Sequence, residues 1–123
     1  MSKAVTATTN TLPPSTFALL ESIGQEDIET LKILIHLYHE QTPLLISEIE
    51  KHALAQNSIE TKKAAHTLKG SSLNMGLGSM GNICKEIELA AEENDFTQIN
   101  HLLTQLNNIH SLIEQNIDTL LNR

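Results

Sequence analysis

The sequence has few aromatic residues, few glycines and prolines, and no tryptophan. Aromatic residues make up 2% of its 123 residues, so a hydrophobic core has to be built from aliphatic side chains. Ile, Leu and Ala predominate, with few β-branched or aromatic runs, and this composition favours helices over strands. Five glycines and three prolines are too few for a fibrous or disordered chain. The composition therefore predicts one helical domain with an aliphatic core.

The shortage of positive charge and of cysteine excludes several classes of function. Lys and Arg number 8 against 15 Asp and Glu, which gives a formal net charge of -7. This charge argues against binding to nucleic acid or to an anionic membrane surface. The single cysteine, Cys84, cannot form an internal disulfide, and a reducing, cytoplasmic location fits best. The sequence has no run of about 18 apolar residues, and its first residues lack the apolar stretch of a signal peptide.

Helical periodicity begins after a polar N-terminal segment. Residues 1–14 show no period and end in two prolines, so we predict a flexible tail there and one helical domain over residues 15–123. A short helix is expected between Ser15 and Gly24. Apolar spacings of three and four then predict a helix that begins near Asp27, and Pro43 is expected to interrupt it.

Three further helices are predicted in the second half of the chain. The first runs from Ser58, as its N-cap, to Met75, the second ends near residues 93–94, and the last follows Asp95 and has the clearest apolar stripe. No segment shows the sustained alternation of apolar and polar residues that is typical of a strand. We therefore predict an all-α fold, an antiparallel up-and-down four-helix bundle with an additional short N-terminal helix.

The most informative residues surround His66. At roughly 100° per residue, His66 lies on the helix face opposite to the small and apolar side chains. Lys62, Lys63, Lys69 and Gly70 are its neighbours one turn away, so an exposed imidazole stands beside several ammonium groups. Gly70 lacks the side chain that would overhang the ring, which lets the backbone of a partner approach. A neutral imidazole is a nucleophile near neutral pH and a lysine stabilises a phosphoryl group, so phosphoryl transfer fits this face.

Two apolar residues on the same water-facing side suggest a docking surface. Ile59 and Leu73 are apolar where polar residues would be expected, and together with Lys62 and Lys63 they are the candidate docking residues.

The remaining histidines and acidic residues have simpler interpretations. We expect His110 in the core or at its rim, and the spacing of His36 and His39 does not complete a zinc motif. Cys84 lies on an apolar stripe and is predicted to be an inert core thiol. A solvated acidic face is expected to contain Glu86, Glu88, Glu92 and Glu93, and surface positions are expected for His52 and His101.

The segment His66-Thr67-Leu68-Lys69-Gly70-Ser71-Ser72, followed by Gly76 and by Ile83-Cys84-Lys85-Glu86-Ile87-Glu88, resembles the histidine-containing phosphotransfer (HPt) domain of multistep phosphorelays. The resemblance covers roughly residues 15–120. It implies a four-helix bundle with an extra short N-terminal helix. Gly78 and Gly81 stand where the family more often has helix formers, and this departure is expected to loosen the start of the helix that follows Met75. The resemblance also implies that His66 is phosphorylated, that Lys69 is its electrostatic partner, and that Gly70 is the small residue that admits a receiver domain.

The resemblance implies a monomeric phosphocarrier without a cofactor of its own. Its partners would be the receiver domains of a hybrid sensor kinase and of a response regulator, and Mg²⁺ would be bound by the receiver. The sequence has no P-loop and no kinase-type glycine-rich loop, so we do not expect it to use ATP. Two alternatives remain open. One is a binding-only helical adapter that docks through the His66 face; the other is the dimerisation helix pair of a sensor kinase, which usually has a proline where Gly70 stands.

Overall fold

Four helices contain most of the residues that the computed structural model describes, which are 22–23 and 25–121. They are α1 (Ile28–Leu54), α2 (Ser58–Asn74), α3 (Gly78–Glu92) and α4 (Phe96–Leu121). No strand occurs in this part of the chain, and the predicted all-α class is confirmed. The predicted tail, and nearly all of the short helix predicted between Ser15 and Gly24, lie outside the described residues. None of the four helices has the length and apolarity needed to cross a membrane.

Side-chain caps fix where three of the helices begin. Asp27 accepts a hydrogen bond from the backbone N–H of Thr30 at the start of α1, and Asp95 accepts one from Gln98 at the start of α4. Both starts agree with the sequence prediction. The predicted cap of α2 is wrong by one residue, because the side chain of Asn57, and not that of Ser58, accepts from the third residue of the helix. An unpaired N–H at a helix start is satisfied equally well by either residue type, so local sequence does not distinguish the two.

Helix α1 does not break at Pro43, contrary to the prediction. It runs continuously from residue 28 to residue 54 with Pro43 inside. A proline inside a helix costs about 3 kcal/mol because one backbone hydrogen bond is lost and the ring crowds the preceding turn. One stripe of buried side chains, which includes Thr42 and Ile46, continues along α1 on both sides of Pro43. Burial of this stripe offsets the cost, whereas the prediction rested only on the local effect of proline.

The helices enclose one aliphatic core. Contacts join α1 to α2, α2 to α3, α3 to α4, and α1 to α4. Tyr38 is the only fully buried aromatic side chain among the described residues. The small and apolar side chains on the face of α2 opposite to His66 were predicted to face the core, and all of them are buried except that of Ala64, which is only half-buried. The buried residues of that helix and its C-cap are Thr61, Ala65, Leu68, Ser72 and Met75.

Two glycines shape the connection between α2 and α3. Gly76 has φ 73, the left-handed conformation that ends a helix and that glycine adopts without strain. Gly81 is buried, and a Cβ atom added there would lie 2.6 Å from Cδ2 of Leu73. Whether Gly78 and Gly81 loosen this helix stays a prediction. Helix α3 begins at Gly78, and Gly81 lets the Leu73 side chain of α2 pack directly on the backbone of α3.

A polar network joins α1 to α4. The hydroxyl of Tyr38 lies 2.6 Å from Nδ1 of His110, and Nδ1 of His39 lies 2.8 Å from a carboxylate oxygen of Glu114. Burial raises the pKa of Tyr38 and lowers that of His110, so both groups are neutral near neutral pH. The Tyr38 hydroxyl then donates to Nδ1 of His110. The prediction that His110 belongs to the core or its rim is confirmed.

Candidate functional site

His66 lies on the face of α2 that points away from the core. Its side chain is 69% exposed, while its neighbour Ala65 is fully buried. The ring is nevertheless held in place, because its Nδ1 atom lies 2.8 Å from Oε2 of Glu88 on α3. The imidazole is thus anchored at one nitrogen and open to solvent at the rest of its edge.

Glu88 is the residue that the sequence prediction misplaced. It was expected on a solvated acidic face, but its side chain is 10% exposed and faces α2. Its Oε1 atom lies 2.7 Å from Nζ of Lys69. Burial alone would raise the pKa of Glu88, but the interactions with Lys69 and His66 outweigh burial and hold the pKa below its usual range. The carboxyl group is therefore ionised at neutral pH.

The ionised carboxylate decides which nitrogen of His66 carries hydrogen. A carboxylate can only accept hydrogen bonds, so the short contact requires that Nδ1 of His66 be the donor. In the neutral imidazole the other nitrogen, Nε2, then has the free lone pair. Glu88 thereby selects the tautomer in which the nucleophilic nitrogen faces away from the protein.

The lysines around His66 are paired with carboxylates. Lys62 forms an ion pair with Glu92 of α3, which raises the pKa of Lys62, and Lys63 lies 3.5 Å from Glu60 one turn earlier on α2. With the contact between Lys69 and Glu88, each positive charge near the imidazole has an acidic partner. The sequence pattern indicated a cluster of positive charge, whereas the structure shows a nearly neutral one.

Gly70 leaves open space beside His66. A Cβ atom added at this exposed position would have no heavy atom within 4 Å apart from its own local helix. On this side of His66 a groove runs between α1 and α2, and its lining includes Leu34, Leu37 and Gln41 of α1 and Asn74 of α2. The structure thus gives Gly70 no internal packing role.

The predicted docking residues are placed on two different parts of the surface. Ile59, Lys62 and Lys63 line a second groove beside His66, on the side of α3, and Ile59 is 68% exposed. Leu73 is outside that groove and contacts Gly81, although half of its surface remains exposed. The sequence analysis missed the contribution of α1. Leu37 of α1 is partly exposed and adjoins the same imidazole from the other side.

The other titratable groups form no comparable site in the described residues. His36 and His52 each lie near a glutamate on an adjacent turn of the same helix. No group of three or more potential metal ligands occurs among the described side chains. Cys84 is buried, and burial raises the pKa of its thiol to about 12, which keeps it protonated and unreactive.

Comparison with known proteins gives one match. A family model described as the Hpt domain matches residues 33–120, which include most of α1, all of α2 and α3, and nearly all of α4. No curated protein and no solved structure matches significantly. Domains of this family act as phosphocarriers in phosphorelays, where they interact with receiver domains, and they are not kinases. Because the match spans most of the chain and contains the whole His66 site, this protein belongs to the Hpt domain family.

Proposed function

We propose that this protein carries a phosphoryl group on His66 between two receiver domains. It accepts the group from an aspartate in the receiver domain of a hybrid sensor kinase and passes it to an aspartate of a response regulator. The observation that carries this proposal is the hydrogen bond between Glu88 and Nδ1 of a largely exposed histidine. This contact leaves Nε2 as a free, outward-facing nucleophile.

The transfer step conserves atoms and charge. The lone pair on Nε2 of His66 attacks the phosphorus of the acyl phosphate on the receiver, an N–P bond forms, and the P–O bond to the aspartate breaks. The bonding electron pair leaves with the aspartate carboxylate. The imidazole keeps its hydrogen on Nδ1 and becomes positively charged, and the ionised Glu88 next to Nδ1 stabilises that charge. The reverse sequence delivers the phosphoryl group to the second receiver.

Lys69 and Gly70 serve this step in different ways. Lys69 supplies positive charge within one turn of the reacting ring, where the phosphoryl oxygens carry negative charge. Gly70 leaves the space through which a receiver domain reaches Nε2. Ile59, Lys62, Lys63 and Leu73 are the proposed docking residues, and the groove beside Leu37 extends this surface onto α1. Mg²⁺ belongs to the receiver, and the carrier itself needs no cofactor.

We also propose the finer architecture that the sequence predicted. An antiparallel, up-and-down order is supported by three contacts between α2 and α3, namely Lys62 with Glu92, His66 with Glu88, and Leu73 with Gly81. Numbers rise along α2 while they fall along α3, as antiparallel neighbours require. A short helix between Ser15 and Gly24, a monomeric state and a cytoplasmic location complete this proposal.

A binding-only adapter would dock through the same face without chemistry. Such an adapter has no use for a buried, ionised glutamate aimed at the ring of an exposed histidine, because that arrangement costs desolvation of a charge. The hydrogen bond between Glu88 and His66 therefore favours the carrier over the adapter.

Label transfer tests the function directly. Candidate receivers are phosphorylated with ³²P, mixed with the protein, and the label is followed over time. We expect His66→Gln to abolish labelling with unchanged helical circular dichroism, and His101→Gln to label normally, because His101 is another exposed histidine on a helix. Receivers that bind the protein without transferring label would support the adapter. Label retained in His66→Gln would assign the acceptor to another residue.

A further inference from the structure

Glu88 has two carboxylate oxygens with different partners. Oε2 accepts from His66, and Oε1 faces the ammonium group of Lys69 at 2.7 Å. Oε1 is shielded from solvent and makes no hydrogen bond of good geometry within the described part of the chain. The ammonium group of Lys69 is therefore the nearest positive charge to Oε1. Lys69 is also the first lysine that follows His66 along α2.

We propose that phosphorylation of His66 draws Lys69 away from Glu88 and onto the phosphoryl oxygens, so that a carboxylate and a phosphoryl group compete for one ammonium ion. This inference rests on the proposed function. It adds that Lys69 alternates between two partners, and that Glu88 binds the lysine while His66 is unphosphorylated.

Charge and reach favour this exchange. A phosphoryl group brings a charge of about -1.5 to -2, which is more than the single charge of the carboxylate. Lys69 follows His66 by three residues, so the two side chains share one side of the helix, and its four-carbon stem lets the ammonium group move between neighbouring acceptors. Lys62 and Lys63 are also paired, with Glu92 and Glu60, but of the three lysines only Lys69 has a partner that also contacts the His66 ring.

The burial of Oε1 limits how firmly Lys69 can hold the phosphoryl group. When the lysine leaves, a charged oxygen shielded from water loses its nearest compensating charge, and an unpaired buried acceptor is unfavourable. Part of the attraction between Lys69 and the phosphoryl group is therefore offset at Glu88. The phosphohistidine is stabilised enough to form but not so strongly that it retains the group, which suits a carrier that must pass the group on.

The exchange can be tested on the whole protein with phosphoramidate, which needs no docking surface. Nε2 of His66 attacks its phosphorus, the P–N bond breaks, and ammonia leaves. The pKa of Glu88 is then measured by ¹³C NMR on protein labelled at glutamate carboxyl carbons, with Glu88→Gln used to assign the resonance. The measurement is made before and after phosphorylation in wild type, in Lys69→Met and in Lys62→Met as the matched control.

The comparison separates loss of the lysine from the effect of the new charge. In wild type, phosphorylation should raise the pKa of Glu88, because the phosphoryl charge arrives and Lys69 departs. In Lys69→Met only the phosphoryl charge acts, so the rise should be smaller by about one pH unit, the size of the effect of one nearby opposite charge. Lys62→Met should show the full wild-type rise.

Each result has a definite meaning. An equal rise in wild type and in Lys69→Met would show that Lys69 stays on Glu88, and the exchange would be wrong although the phosphocarrier function stands. If the pKa of Glu88 rose as little in Lys62→Met as in Lys69→Met, the exchange would also be wrong, because the effect would not be specific to Lys69. Failure of phosphoramidate to label His66 in wild type would instead contradict the proposed function, and the exchange with it.

Discussion

Replacing Gly70 should move stability and receiver-dependent transfer in opposite directions. Gly70 is exposed within α2, and an added Cβ would meet no atom within 4 Å. Gly70→Ala should therefore raise the free energy of unfolding by about 1 kcal/mol, the difference in helix propensity, and the melting temperature by about 4 °C. Gly70→Gln should also be at least as stable as wild type, but its longer side chain should block the approach of a receiver to His66.

Three assays on the same variants separate stability, receiver access and the chemistry at His66. Thermal unfolding followed by circular dichroism gives the stability, and label transfer from a phosphorylated receiver gives the docked reaction. Phosphoramidate labelling reports on His66 without docking. We expect the rate of transfer from a receiver to fall strongly in Gly70→Gln, while phosphoramidate still labels the variant at the wild-type rate. Gly78→Gln is the matched control, because Gly78 also has no atom within 4 Å of an added Cβ but lies at the start of α3.

Two outcomes would refute the reasoning about Gly70. Normal transfer from the receiver in Gly70→Gln would mean that the open space beside His66 is not used. A large drop in melting temperature in Gly70→Ala would mean that the position packs against something the structure does not show, and the exposed face of α2 would be assigned wrongly. Equal loss of transfer in Gly78→Gln would point to a general effect of the substitution and would remove the argument for access.

Three further predictions follow from buried positions. Gly81→Ala should leave the free energy of unfolding in urea within about 1 kcal/mol of wild type, because the gain in helix propensity opposes the displacement of the half-exposed Leu73 side chain that the added methyl group meets; a loss of several kcal/mol would mean that Leu73 cannot move aside. Burial lowers the pKa of His110, so the unfolded chain binds more protons and stability should fall as the pH drops below about 6.5. His110→Gln should weaken this dependence, and an identical pH profile would contradict the assignment. Cys84 should resist iodoacetamide in the folded protein and react after unfolding, because its thiol has a pKa of about 12; rapid reaction of the native protein, followed by mass spectrometry, would show that the site opens.

Residues whose environment is set by their own helix could be predicted from the sequence. The exposed position of His66 and the buried positions of Ala65 and Leu68 follow from the 3.6-residue period. The starts of α1 and α4 follow from Asp27 and Asp95, because a cap acts on the first turn of its own helix. The roles of His66, Lys69 and Gly70 stay predictions, since only their positions are observed.

Residues whose environment depends on a neighbouring helix could not be predicted in this way. The hydrogen bond from His66 to Glu88 depends on the register between α2 and α3, which no single-helix period encodes. One signal was present, since Glu88 follows the buried Cys84 by four residues and adjoins the buried Ile87. An acidic residue on an apolar stripe is costly to bury without a partner. Its position therefore pointed towards a paired, inward-facing carboxylate.

The same reasoning explains the error at Pro43 and the packing at Gly81. Both residues lower helix propensity, and local rules read them as interruptions. In the fold, Pro43 lies in a helix whose buried stripe continues on both sides, and Gly81 supplies the space into which Leu73 packs. Tertiary packing decides both positions.

The three groups proposed to handle the phosphoryl group, His66, Lys69 and Glu88, belong to two consecutive helices joined by residues 75–77. The contact between His66 and Glu88 spans 22 residues, so it closes a short stretch of chain, and contacts of this kind form quickly during folding. Helix α1 adds Leu34 and Leu37 beside the site without contributing to that contact. If the proposed function holds, substitutions on α1 therefore change which receiver surface fits while the reacting pair is untouched.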